Sequence, residues 1–571
     1  MIKYNLSYSN PLTHFLHITI TIPRNREQEL YLQLPAWRPG RYELQHFAQK
    51  LRGVTATANG EKLPIRKVTK DRWLIETNGA ETVAVNYDFY ARQMDAGGSW
   101  LDETQLYVNP INCMMAVEGR EHEPCTLQLQ IPEDWQVASG LQEQEKHTLE
   151  AANFDELVDS PFIASDSLKQ ETFTVNDIPF HIWMQGDCQP DWERIKSDFE
   201  AFTKEQLHVF EDFPVAEYHY LNEILPYHFY HGVEHSHSTV ITLGPGELLM
   251  APSLYKEFIG VSSHELFHTW NIKKIRPKEL MPYNFSQENY FKTGYVAEGV
   301  TTYYGDYMLA RSGFFTAEQY FEELNTSLQR YFADYSRNNL SVADSSFDLW
   351  LDGYKPGIPD RKVSIYIKGM LTAMLLDLQL RKATENKASL DTVMRKLWER
   401  FGKKSIGYSE DDYLALVDEV GQTSFRTYFD NFINGTAPIE DALDEALRYV
   451  GCTLRKQESS LLYEHKYGFK VSSDETSKVI AIAPDSPASE VLSIDDELVA
   501  LNGRKLENNL QQLLALEPDE VELVLFRDKQ LHVVRLQKND SSYYSRYFVE
   551  KRKDATQAEQ ENFKLWLKQE F

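Results

Sequence analysis

Five residues, His264-Glu265-Leu266-Phe267-His268, constrain this chain more than any other stretch of it. In a helix, residues four apart lie on one face, so His264 and His268 offer two imidazoles to one ion. Glu265 then stands beside that ion rather than on it, where a general base takes a proton from bound water. Alone, the pattern also fits a helix that happens to carry two histidines, because matches this short occur by chance. A catalytic zinc needs a third protein ligand and an open fourth position for water. Glu298, 30 residues after His268 in "GYVAEGVTTYYGDY", completes a His₂Glu set. Its apolar neighbours argue against a solvated helix glutamate, since an unpaired carboxylate there costs several kcal/mol on burial. The expectation is one zinc per chain on His264, His268 and Glu298, with Glu265 as the base.

At 571 residues the chain is too long for one core, and three or four domains are expected. Short alternating runs such as "HFLHITITIP" and "TVAVNYDFYA", separated by turn signals, make residues 1–175 an N-terminal β-sandwich-like domain. Residues 176–450 hold the zinc motif and read as a thermolysin-like catalytic domain with a helical extension, mostly helix after residue 300. Short strands return over 455–540, and 541–571 is a Lys/Glu/Gln-rich tail expected to be helical. The fold class is therefore multidomain α+β.

The net charge of −27 repels phosphate backbones and anionic bilayers, which argues against nucleic-acid and membrane partners. No run reaches the ~18 apolar residues needed to span a bilayer. The four cysteines, at 113, 125, 188 and 452, form no CxxC pair, so reduced, buried thiols are expected. The predicted compartment is the cytoplasm, or the periplasm or exterior for a chain whose leader has been removed.

"HGVEH", "HELFHTWNIKKIRPKEL", "VAEGVTTYY" and "VSIYIKG" follow one another in this order. Together they resemble the glycyl aminopeptidases, gluzincin relatives of the aminopeptidase N family. "LPAWRPGRYELQHFAQKL" looks like that family's N-terminal β-domain signature, and "NIKKIRPKEL" is especially specific to it. The resemblance implies a zinc aminopeptidase acting on peptides with N-terminal Gly or Ala. It also implies substrate contacts from Gly232, Glu234 and His235. In the relatives a G-x-M-E-N strand sets its glutamate on the substrate's free amino group, and Glu234 stands in that place although the Met-Glu-Asn ending is missing. Read from the residues alone, an edge-strand carboxylate remains the alternative for Glu234. A Y-x-K-G tyrosine serves the relatives as oxyanion donor, which points to Tyr366. The other histidines crowding the Glu234 stretch, His228, His231 and His237, close no ligand set of their own.

"YGFKVSSDETSKVIAIAPDSPASEVLSIDDELVALNGRKL" resembles a PDZ domain, with Tyr467, Gly468 and Phe469 where a carboxylate-binding loop lies. That resemblance implies a C-terminal peptide as a second ligand, added as a strand. Two other readings stay open at this level: a zinc endopeptidase, and an inactive PDZ-bearing peptide-binding scaffold. All three ligands, the base and the tyrosine are present, which disfavours the scaffold.

Overall fold

A computed structural model describes residues 1–355, 357–472, 477–516 and 519–571. They form two compact units, the first from residues 1–315, 346–355 and 388–422, the second from 316–345, 356–387 and 423–571. The chain is multidomain α+β, with a β-rich N-terminal region followed by a region rich in helix.

In the first unit, the alternation of Phe15–Ile22 buries every second side chain, as a half-covered strand requires. Eight strands form one sheet in the order 142–145, 148–151, 125–129, 2–7, 15–22, 83–90, 51–58, 61–63. A five-stranded and a four-stranded sheet share its core, in which Leu16 and Ile18 meet Leu30, Leu32, Leu106 and Val108. The four cysteines are free and buried.

A second five-stranded sheet carries the site, in the order Lys169–Val175, Ile178–Gln185, Tyr218–Ile224, Ser238–Gly244, Phe229–Glu234. Lys169–Val175 reads in the sequence with the N-terminal strands. In the structure it is the edge of this sheet instead. Asn176 and Asp177 both adopt left-handed φ, +50° and +64°, and this two-residue turn folds the strand back onto Ile178–Gln185. Tyr218–Ile224 lies parallel to both neighbours and is buried along its whole length. The opposite edge, Phe229–Glu234, runs antiparallel to Ser238–Gly244.

The helix Pro252–His268 packs against that edge strand and begins with proline in its first turn, where no backbone donor is lost. Gln206, from the helix Trp192–Phe210, donates to the Ser263 carbonyl (2.7 Å), and Ser263 Oγ donates to the Gly305 carbonyl (2.8 Å). These bonds lock Pro252–His268 between Trp192–Phe210 and the helix Thr301–Arg311.

The second unit holds the helices Ala317–Ala333, Ile365–Ala383, Glu440–Tyr449 and Gln557–Leu567. It also holds a β module with strands Phe469–Val471, Val479–Ile482, Glu497–Leu501, Glu520–Arg527 and Gln530–Gln537 around Val479, Leu498, Leu523 and Leu525. The C-terminal segment is not helix alone: Arg546–Lys551 pairs as a strand with Cys452–Gln457 before the last helix begins. Among the described residues, no helix is long and apolar enough to cross a membrane.

Candidate metal centre

His264 and His268 share one face of the last turn of Pro252–His268, and their Nε2 atoms lie 3.1 Å apart. His268 Nε2 lies 3.4 Å from Glu298 Oε2. Tetrahedral zinc with bonds of about 2.0–2.1 Å sets its ligand atoms about 3.3 Å apart, so the spacing fits the ion. The backbone carbonyl of Asn271 lies 2.8 Å from His268 Nδ1, which keeps the proton there and turns the Nε2 lone pair to the centre. The Asn271 side chain donates to the Val296 carbonyl (2.8 Å) and to Thr301 Oγ1 (3.0 Å). One residue thus ties the end of the histidine helix to the turn that presents Glu298. That turn, Tyr295–Val300, is π-helical, a local irregularity common at functional sites. Tyr42, from the N-terminal β-rich region, donates to Glu298 Oε1 at 3.3 Å.

Three carboxylates converge here with little solvent. Glu234, Glu265 and Glu298 are 4%, 5% and 2% exposed. Burial pushes the Glu265 carboxyl up to about 8 against the pull of His268. Burial also raises Glu298, again against His268. Burial disfavours charge on His268 as well, but the Glu298 carboxylate overrides it and lifts the imidazole to about 10. Burial holds His264 well below its ordinary value. Glu265 Oε2 has no hydrogen-bond partner. A dication resolves this crowding, because it favours ionised carboxylates and neutral imidazoles together. The residues present therefore fit zinc in spacing, donor type and charge.

Residues 3–166 match the Peptidase M61 N-terminal domain, and residues 257–372 match the M61 glycyl aminopeptidase domain. The chain is similar to the M61 peptidases over both stretches, and it is a zinc metallopeptidase. An aminopeptidase N family protein from Idiomarina loihiensis is 27% identical, with a TM-score of 0.88 over 99% of this chain and 100% of that one. An M1 zinc metallopeptidase from Deinococcus radiodurans is 14% identical, covering 75% of this chain and 92% of that one, at a TM-score of 0.45. No curated protein sequence matches the chain.

The peptidase brings Glu234 to the same centre. One ligand atom each from Glu234, Glu265 and His268 all lie within 4.8 Å of one another. Glu234 Oε1 is buried without a partner. Gly40, at φ +76°, passes so close that a Cβ there would stand 2.4 Å from Glu234 Oε2. Gly232 serves the base: a Cβ on it would stand 2.2 Å from Glu265 Oε1 and 2.7 Å from Val261 Cγ2. Gly232→Ala is expected to displace Glu265 and lower kcat by about 10²-fold, the scale of a 1 Å misplacement, with zinc content unchanged by elemental analysis.

His235 follows Glu234 and has one ring nitrogen engaged, while its Nε2 is buried without a partner. Its Nδ1 lies 3.2 Å from Asp159 Oδ1, and Asp159 also takes Lys273 Nζ (2.7 Å) and the Ser236 N–H (3.0 Å). Burial opposes the Asp159 charge, yet Lys273 and then His235 hold it well below the usual carboxylate range. His235 thus braces the turn after Glu234 against the loop after the zinc motif.

Tyr366 opens the helix Ile365–Ala383 of the second unit, behind the Ser364 cap, and is half-buried. Tyr467 and Phe469 are buried in the core of the β module. Gly468, at φ +78°, lies where a Cβ would meet Ser486 Cβ at 2.3 Å, and its N–H is already donated to the Glu464 carbonyl.

Gly40, Tyr42 and Asn271 line or brace the centre without any signal in the sequence. The sequence reading also missed His181, Glu217 and His219, whose ligand atoms cluster within 4.8 Å on neighbouring strands and the loop before one of them. Trp183 Nε1 donates to His219 Nδ1 at 3.1 Å, so the proton of the neutral ring sits on Nε2 and no lone pair there faces the cluster.

Proposed function

We propose that this peptidase removes N-terminal Gly or Ala from peptides, using one zinc per chain on His264, His268 and Glu298. The observation that carries this reading is Glu234, a buried carboxylate with an unpartnered oxygen beside Glu265 and His268. Such a group suits the free α-ammonium of a peptide through a charge-assisted hydrogen bond. Zinc supplies Lewis acidity to the scissile carbonyl and to the attacking water. Glu265 takes the proton from that water and passes it to the leaving amine. Glu234 holds the substrate amine, so the first peptide bond is the one that reaches Glu265. Tyr366 is assigned to the oxyanion from the family resemblance, and the small-residue preference has the same source.

The C-terminal β module is read as PDZ-type from its sequence, with a docking role. The internal use of the Gly468 N–H weighs against carboxylate capture by that loop.

Hydrogen bonds to charged groups contribute roughly 1.5–3 kcal/mol. Glu234→Ala is therefore expected to cut kcat/KM for Gly- or Ala-initiated peptides by about 10- to 100-fold. An unchanged constant would remove Glu234 from substrate recognition.

A further inference from the structure

Arg38 lies in the segment Trp37-Arg38-Pro39-Gly40 of the N-terminal β-rich region and is 3% exposed. Its guanidinium rests on Gly97, where a Cβ would come within 2.3 Å. Nη1 donates to the Pro39 carbonyl at 3.1 Å, while Nε is buried and has no acceptor. Among the described residues, no carboxylate lies within ion-pair distance of it.

Glu234 is its counterpart in sign: buried, with one oxygen unpartnered, and likewise without an ion pair among the described residues. The two side chains line one cavity of about 240 Å³. Buried charges left unpaired are costly, and a chain that keeps two of opposite sign on one cavity is shaped for a ligand that answers both. Some of the other charges on this cavity are taken, while Asp155 and Lys274 also line it with no ion pair or side-chain hydrogen bond among the described residues. Arg276 stacks on Tyr283 at 3.8 Å and donates to the Lys273 carbonyl at 3.0 Å, and Asp159 is held by Lys273 and His235.

We propose that Arg38 binds the C-terminal carboxylate of the substrate, which makes zwitterionic dipeptides the preferred substrate class. The assignment rests on the aminopeptidase reading, in which Glu234 takes the ammonium end. A guanidinium presents paired N–H donors that match a carboxylate, so recognition is geometric as well as electrostatic. Each added residue moves the carboxylate up to about 3.3–3.6 Å further along the peptide. Longer peptides satisfy Glu234 and Arg38 together less well, and their specificity constants fall with length.

The test compares glycyl-leucine with glycyl-leucinamide, which keeps the ammonium and removes the carboxylate charge. In the wild type the ratio of kcat/KM, acid over amide, is expected to exceed about ten, the effect of a charge-assisted bond. It is expected to approach one in Arg38→Met and to take an intermediate value in Arg38→Lys, which keeps the charge without the fork. A wild-type ratio near one overturns the assignment before any variant is made. So does an Arg38→Met enzyme that keeps the wild-type ratio. N-acetylglycyl peptides cleaved as fast as free ones overturn the aminopeptidase reading and this assignment with it. A ratio near one while only free peptides are cleaved overturns Arg38 alone.

Discussion

Glu265→Gln is expected to lose about 10²- to 10⁴-fold in kcat, the span general-base groups contribute, while zinc content stays at the wild-type level. The substitution keeps shape and volume in a site with no slack. Glu265 is buried, and the strand backbone at Gly232 approaches it too closely for even a Cβ. An amide has no lone pair able to take the proton from the attacking water. Because the ligand atoms of His264, His268 and Glu298 are untouched, metal retention separates loss of the base from loss of the site. Activity within a few-fold of wild type would remove Glu265 from the proton-transfer step.

Glu298→Ala is expected to abolish tight zinc retention. Supporting residues behind metal ligands typically contribute 10- to 100-fold in affinity, and a direct ligand contributes more. The variant also leaves the Tyr42 hydroxyl without its acceptor and removes the charge that raises His268. A full zinc complement in the purified variant, measured by elemental analysis, would take Glu298 out of the ligand set.

The parts of the site that were legible in the sequence are the local ones. His264 and His268 sit one helical turn apart, and that period is visible in five residues. Glu298 stood out through its apolar surroundings, which the structure accounts for as burial. What stayed hidden depends on contacts across long stretches of chain. Tyr42 and Glu298 are separated by 256 positions, and His235 and Asp159 by 76. No period connects such pairs, so the "RPGRY" stretch could be read as a domain signature but not as part of the site wall. The family resemblance points Gly232 toward the substrate, and nothing in the sequence singles out Gly40. Their close approaches to Glu265 and Glu234 appear only once the edge strand, the helix and the N-terminal region are packed together. Lys169–Val175 was misplaced for a related reason. Its alternation identifies a strand, but partner choice was set by the two-residue turn that follows.

The central claim is that a buried carboxylate, Glu234, selects a free amino terminus for the zinc centre. One comparison tests it most directly: the rates at which the wild type cleaves a short glycyl peptide and the same peptide N-acetylated. Acetylation removes the ammonium charge and leaves the scissile bond in place. The expected result is rapid cleavage of the free peptide, with the acetylated form about 10- to 100-fold poorer in kcat/KM. Equal rates on the two peptides would contradict the aminopeptidase account and favour a zinc endopeptidase built on the same centre.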